Sequence, residues 1–118
     1  MRVTDICLFN DAGKLKKEDL LQCLLDLGPL EIKVYKKISA KEGTTIKQLC
    51  KETGKNRTTV QKSITKLLEI GLLYRRKSPA KRGYYYKYWA LPKKKLKQML
   101  RNNTWTWYIN VNRLIDNL

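Results

Sequence analysis

Apolar residues recur along this chain at helical spacing up to about residue 70, alternate over the next twenty, and then return to helical spacing. Residues 16–27 carry Leu20, Leu21, Cys23, Leu24, Leu25 and Leu27, dense enough for a helix buried on more than one side. Gly28-Pro29 ends it, and proline suits the first turn of another helix. Leu30, Ile32, Val34, Tyr35 and Ile38 give that second segment an apolar face to about residue 42, where Gly43 stops it. Thr44 and Thr45 are the capping candidates for a third helix. Ile46, Leu49 and Cys50 make its i, i+3, i+4 stripe as far as Thr53, and Gly54 supplies the permissive backbone of a turn. Asn56 then predicts an N-cap, with Val60, Ile64, Leu67 and Leu68 along one side of a fourth helix that ends at Gly71.

Beyond Gly71 the period falls to two. Residues 72–77 and 83–91 are β-prone runs separated by Ser78-Pro79-Ala80-Lys81-Arg82, the layout of a hairpin. Its second arm holds Tyr84, Tyr85, Tyr86, Tyr88 and Trp89. Alternation sends roughly half of these rings into the core, a stronger reading than base stacking. After Pro92, residues 93–103 predict a helix with Leu96, Met99 and Leu100 inward and lysines outward. Asn102-Asn103-Thr104 reads as a break and a fresh cap. From there Trp107, Tyr108, Val111, Leu114, Ile115 and Leu118 follow at spacings of 1, 3, 3, 1 and 3, an a/d seam. Such a seam needs a partner. It either folds back on the helix containing residues 20–27 or pairs with its copy in a second subunit, as a two-fold dimer interface.

The predicted fold is mainly α with a small β-hairpin wing, a winged helix-turn-helix with a C-terminal helix for dimerisation. All 118 residues are read as one domain: an N-terminal arm at 1–13, a core at 14–91 and a helical dimerisation segment at 92–118. Val3, Ile6, Leu8 and Phe9 suit either a strand or a short helix in the arm.

Charge decides what such a domain would meet. With 26 Lys plus Arg against 10 Asp plus Glu, the formal charge is +16, which points to a polyanionic partner. No carboxylate lies between Glu69 and Asp116, and scattered surface lysines do not explain so long a gap. The basic positions do not line one face of an amphipathic helix, which disfavours a membrane surface. On the fourth helix Thr58, Gln61, Lys62, Thr65 and Lys66 project away from the apolar side, with Arg57 at its start. Arg57, Thr58, Gln61, Lys62 and Thr65 are therefore the candidate base readers, since Gln pairs with adenine and Arg or Lys with guanine. A solvated face would also be polar, but residues 55–66 hold no acid to make the usual i, i+4 pairs. Lys55, Lys66, Arg75, Lys77, Lys81 and Arg82 are the candidate backbone and wing contacts to double-stranded DNA.

Other classes of function fare poorly. Histidine is absent, so neither a Cys/His zinc site nor the usual general base is available; no metal, cofactor or enzymatic activity is expected. Cys7, Cys23 and Cys50 are odd in number and widely spaced, as structural thiols in a reducing compartment are. No apolar run reaches the roughly 20 residues of a membrane span and no signal-peptide layout opens the chain, so a cytoplasmic, nucleoid-associated protein is expected.

The run LGPLEIKVYKKI, then Gly43-Thr44-Thr45, then IKQLCKETGKNRTTVQKSITKLLEIGLL, resembles the DNA-binding region of archaeal TrmB-type and MarR-type winged-helix transcription regulators. The resemblance covers about residues 27–91. Its most specific marks are Leu27-Gly28, Glu31, Val34-Tyr35, Gly54, Val60 with Leu67, and Gly71-Leu72. It implies operator binding through the helix starting at Arg57 and dimers in many members; a sequence-specific regulator is expected, most simply a repressor because no acidic activation surface is present, with activation by recruitment the alternative. Ending at Leu118, the chain leaves no room for the sugar-sensing domain of full-length TrmB-type regulators. Either no effector is sensed, or a small pocket lies at the dimer junction near Trp89, Trp105 and Trp107. Two readings stay beside this one: an architectural DNA-binding protein of low sequence preference, and a winged-helix protein-interaction module.

Overall fold

The computed structural model describes residues 17–118. The N-terminal arm, Cys7 and the Cys23 side chain lie outside the described residues. Helix α1 spans Lys17–Leu25, α2 Pro29–Ala40, α3 Ile46–Thr53 and α4 Arg57–Ile70; strands β1 (Leu73–Pro79) and β2 (Tyr84–Ala90) follow, then α5 over Lys93–Asp116. This is the mainly helical winged helix-turn-helix that the periodicity predicts.

Local chemistry sets the boundaries around α3 and α4. The Thr45 hydroxyl accepts from the Gln48 N–H while the Gln48 side chain accepts from the Thr45 N–H, a reciprocal cap that starts α3. Gly54 ends that helix with φ of 70°, the left-handed region that side chains other than glycine resist. Two residues later Asn56 Oδ1 accepts from the Thr59 N–H at 2.8 Å and opens α4. Gly71 closes α4 with φ of 92°, its N–H donating to the Leu67 and Leu68 carbonyls.

The buried faces of these helices meet in one cluster. Val34, Ile38, Leu49, Val60, Ile64, Leu67, Leu72 and Tyr88 are all fully buried there. Each aliphatic side chain contributes about 1.5–3 kcal/mol by leaving water, and truncating one such as Leu67 to alanine costs about 2–5 kcal/mol. The strands pair antiparallel from Leu73 opposite Ala90 to Pro79 opposite Tyr84, and the Ala80 N–H donates to the Gly83 carbonyl across the tip. The hairpin is thus longer than its sequence suggests, because Pro79 sits at the strand end, where its missing N–H leaves no ladder bond unmade. Thr44 adds a bridge on the other edge of β2: Tyr88 N–H donates to the Thr44 carbonyl, and Gly43 N–H to the Tyr88 carbonyl, both at 2.9 Å. The loop before α3 is thereby stitched to the wing.

One expected boundary is absent. The chain does not break at Asn102-Asn103-Thr104; α5 runs unbroken for 24 residues. The Thr104 hydroxyl donates to the Leu100 carbonyl at 2.9 Å, one turn back, and so serves the helix interior instead of capping a new N-terminus. Leu96, Met99 and Leu100 pack against the core as predicted. The distal half departs from it, and no α5 residue is fully buried.

Candidate nucleic-acid interface

Because α3 ends in a left-handed glycine and α4 restarts two residues later, the N-terminal half of α4 stands clear of the core. Arg57, Thr58, Lys62 and Thr65 are exposed on it, and Gln61 is half-buried. The Thr65 hydroxyl donates to the Gln61 carbonyl at 2.9 Å, while the Gln61 amide donates to the Thr65 hydroxyl at 3.4 Å, so the two side chains are held together. Val60, Ser63, Ile64 and Leu67 are buried on the opposite side. The 100° spacing thus separates core and outward residues as read, with one exception. Lys66 turns back toward the α1–α2 corner, donating to the Asp26 carbonyl at 2.6 Å and facing Glu31 at 3.6 Å. This ammonium is committed within the protein and does not join the outward set.

Across from Arg57 and Gln61 stands the wing. The Arg75 guanidinium lies 4.1 Å over the Tyr86 ring and the Lys77 ammonium 4.3 Å from the centre of the Tyr84 ring. Tyr84 and Tyr86 meet edge to face at 5.5 Å. On the other face of the hairpin Tyr74 and Trp89 stack at 5.9 Å, with Arg76 over the indole. Lys81 and Arg82 are exposed at the tip. A cleft of about 400 Å³ separates helix from wing, lined by Ile46, Arg57, Gln61, Arg75, Tyr84, Tyr85, Tyr86 and Tyr88. No carboxylate lines it. The Tyr88 hydroxyl is buried without a hydrogen bond, and burial pushes its titration above the ordinary 10.0. The Arg75 guanidinium, which faces that phenol, and the Arg57 charge oppose the shift.

A second cleft, about 370 Å³, gathers Lys47, Lys51, Lys55 and Arg57 around Ile46, Cys50 and Asn56. Lys47 and Lys51 extend the basic surface beyond the residues expected from sequence. The signal was there: two lysines at i, i+4 flank the apolar stripe of α3. Trp105 lines an apolar groove of about 460 Å³ with Leu20, Leu24, Leu100, Arg101, Thr104 and Tyr108, whereas Trp107 lines a different one. Trp89 lines neither of these two grooves. Among the described residues no cluster of metal-ligating side chains occurs, and no helix is long and apolar enough to cross a membrane.

Two helices joined by a tight turn, the second outward and polar, followed by a basic hairpin, define a winged helix-turn-helix. The family model "Sugar-specific transcriptional regulator TrmB" matches residues 21–94, and the chain belongs to that family. It is 32% identical over 106 residues to the uncharacterized protein MJ1082 of Methanocaldococcus jannaschii, covering 90% of this chain and 88% of that one. Among solved structures, a possible transcriptional regulator from Methanosarcina mazei superposes with a TM-score of 0.78 at 24% identity, over 87% of this chain and 88% of that chain. MarR shares the fold at a TM-score of 0.56 and 15% identity, over 80% of this chain and 71% of its own.

Proposed function

We propose that this regulator reads double-stranded DNA in a sequence-specific manner, as a homodimer that represses by occluding a promoter. The observation carrying this reading is the convergence of the outward half of α4 and the basic wing on one acid-free surface. Arg57, Thr58, Gln61, Lys62 and Thr65 enter the major groove. Lys55, Arg75, Lys77, Lys81 and Arg82, joined by Lys47 and Lys51, hold the phosphates.

Dimerisation is supported by the distal half of α5. Tyr108, Leu114 and Ile115 are each more than half exposed, Leu118 wholly so, and Trp107 and Val111 are only partly covered. That much apolar surface in water is the mark of an interface. With α1 against the middle of α5, around residues 100–110, a second copy is the partner that covers the end beyond it. The regulator acts in the cytoplasm, at the nucleoid.

Fluorescence anisotropy of labelled duplexes tests the reading, comparing DNA from upstream of the gene with a shuffled copy across a salt series. At least ~10³-fold tighter binding to the native duplex is expected at physiological salt. Equal affinities with a steep salt slope, both there and after selection from random DNA, would indicate an architectural binder instead. Indifference to all DNA would indicate a protein-interaction module.

A further inference from the structure

Outward polar side chains suffice to read a closed duplex and a tyrosine hydroxyl can hold its phosphate, but an open ring face serves an unpaired base. The wing keeps the Tyr84 ring 55% exposed on the side that faces α4. From the cleft between α4 and the wing we infer a binding site for an unpaired nucleobase, so that the protein prefers DNA with a locally opened or single-stranded position.

Three features of the cleft fit that occupant. The first is its wall. Tyr84 and Tyr86 meet edge to face, and each carries a cation within 4.3 Å of its ring. An aromatic face accepts any base by stacking, and a guanidinium or ammonium beside it meets the phosphate that the base brings along. The second is its floor. Tyr88 is fully buried, yet its hydroxyl makes no hydrogen bond among the described residues, and the charges bearing on it belong to Arg75 and Arg57, both cleft residues. A buried hydroxyl left so calls for an incoming partner, and a base edge supplies donors and acceptors. The Gln61 amide, on the facing helix, is the matching two-point group. The third is size and sign. About 400 Å³ lies within the range of small-ligand sites and takes a base with its sugar, and the lining holds cations but no carboxylate.

This inference extends the reading of α4 and the wing as a DNA surface, although binding of a single strand would survive without duplex recognition. Its test places 2-aminopurine at one position of three DNAs of identical sequence: intact duplex, duplex with a short central bubble, and single strand. The wild-type protein should bind the bubble at least ~10-fold tighter than the duplex, with quenching of the 2-aminopurine emission on binding. Tyr84→Ala, a substitution at an exposed ring that circular dichroism should show to be folded, is expected to abolish the preference, so that bubble and intact duplex bind equally. Tyr84→Phe should retain it, since the ring and not the hydroxyl stacks. Equal affinity for bubble and duplex, or a preference that survives Tyr84→Ala, would overturn the inference. So would quenching of free 2-aminopurine nucleotide without any bubble preference, which marks a small-molecule site. Loss of discrimination between native and shuffled duplexes with the bubble preference intact would count against the operator reading and leave this one standing.

Discussion

The Lys66 ammonium donates to the backbone carbonyl of Asp26, 40 residues earlier, at 2.6 Å. Asp26 sits at the α1–α2 corner with φ of 52°, a left-handed conformation that costs a non-glycine residue some strain. Lys66 therefore fastens the rear of α4 to that corner. Lys66→Ala should lower stability by about 1 kcal/mol in urea denaturation, the side chain being partly solvated. It should leave the salt slope of DNA binding unchanged. Lys62→Ala is expected to do the reverse, keeping stability and reducing the slope by about 1. A reduced slope for Lys66→Ala would return that lysine to the DNA face.

The proposed base reading and phosphate holding would separate by substitution. Gln61→Ala or Thr58→Ala should reduce discrimination between operator and random DNA by about 1–3 kcal/mol per lost contact. Lys81→Ala should weaken both equally. Competition titrations distinguish the two patterns, and uniform losses from all three would remove the case for sequence reading.

The positive φ at Gly71 gives the helix-to-wing corner its own signature. Gly71→Ala should destabilise by about 1–2 kcal/mol although an added Cβ meets no atom within 4 Å, because the penalty lies in the backbone. Chemical denaturation monitored by circular dichroism measures it. An unchanged midpoint would mean that the corner relaxes.

Alkaline pH should find the buried phenols. Burial raises the titration of Tyr35 and Tyr88 above the ordinary 10.0, so the unfolded chain loses these protons first as pH rises. Their contribution to stability is complete below about pH 10 and is lost as pH climbs through the folded-state values. Tyr88→Phe should flatten that loss and, by deleting an unpartnered hydroxyl, leave stability at pH 7 equal or higher. Urea titrations at several pH values provide the check, and a marked loss at pH 7 would reveal an unrecognised hydroxyl partner.

The exposed seam of α5 is open to direct assay. Replacing Leu114 and Ile115 together by glutamate should shift sedimentation from dimer to monomer and weaken operator binding more than tenfold, since two linked reading heads become one. Stability should hold, because neither side chain touches the core. A wild-type protein that sediments as a monomer at micromolar concentration would overturn the dimer.

What the sequence disclosed was what local chemistry decides. The cap at Asn56, the glycine stops at Gly54 and Gly71, and the apolar side of α4 each depend on residues a turn or less apart, and they recur in the structure. Thr104 shows the limit of that method. Its hydroxyl can cap a new helix or bond one turn back within an existing one, and Asn102-Asn103 only weakly opposes continuation. Lys66 shows a different limit: helical geometry gives a side chain's direction, but a long lysine is claimed by whichever carbonyl tertiary folding brings near. Strand alternation sent roughly half of the wing rings inward without saying which, and Tyr88 is the one fully buried; the pairing of Arg75 with Tyr86 and Lys77 with Tyr84 needed the cross-strand register. The bridge from Thr44 to Tyr88 joins residues 44 apart in number, beyond the reach of any periodicity.

An unbroken α5 also changes the mechanics of the molecule. At about 1.5 Å per residue its 24 residues form a rod about 36 Å long, which accounts for much of the 62 Å length of the described residues against a 24 Å breadth. Leu96 seats one end on the core while Leu114 and Ile115 stand free at the other. A hinge at Asn102 would have let the two ends move separately. A stiff rod acts as a lever instead: a tilt of about 10° swings its far end by roughly 6 Å. Whatever grips that far end therefore also sets the attitude of α4 and the wing.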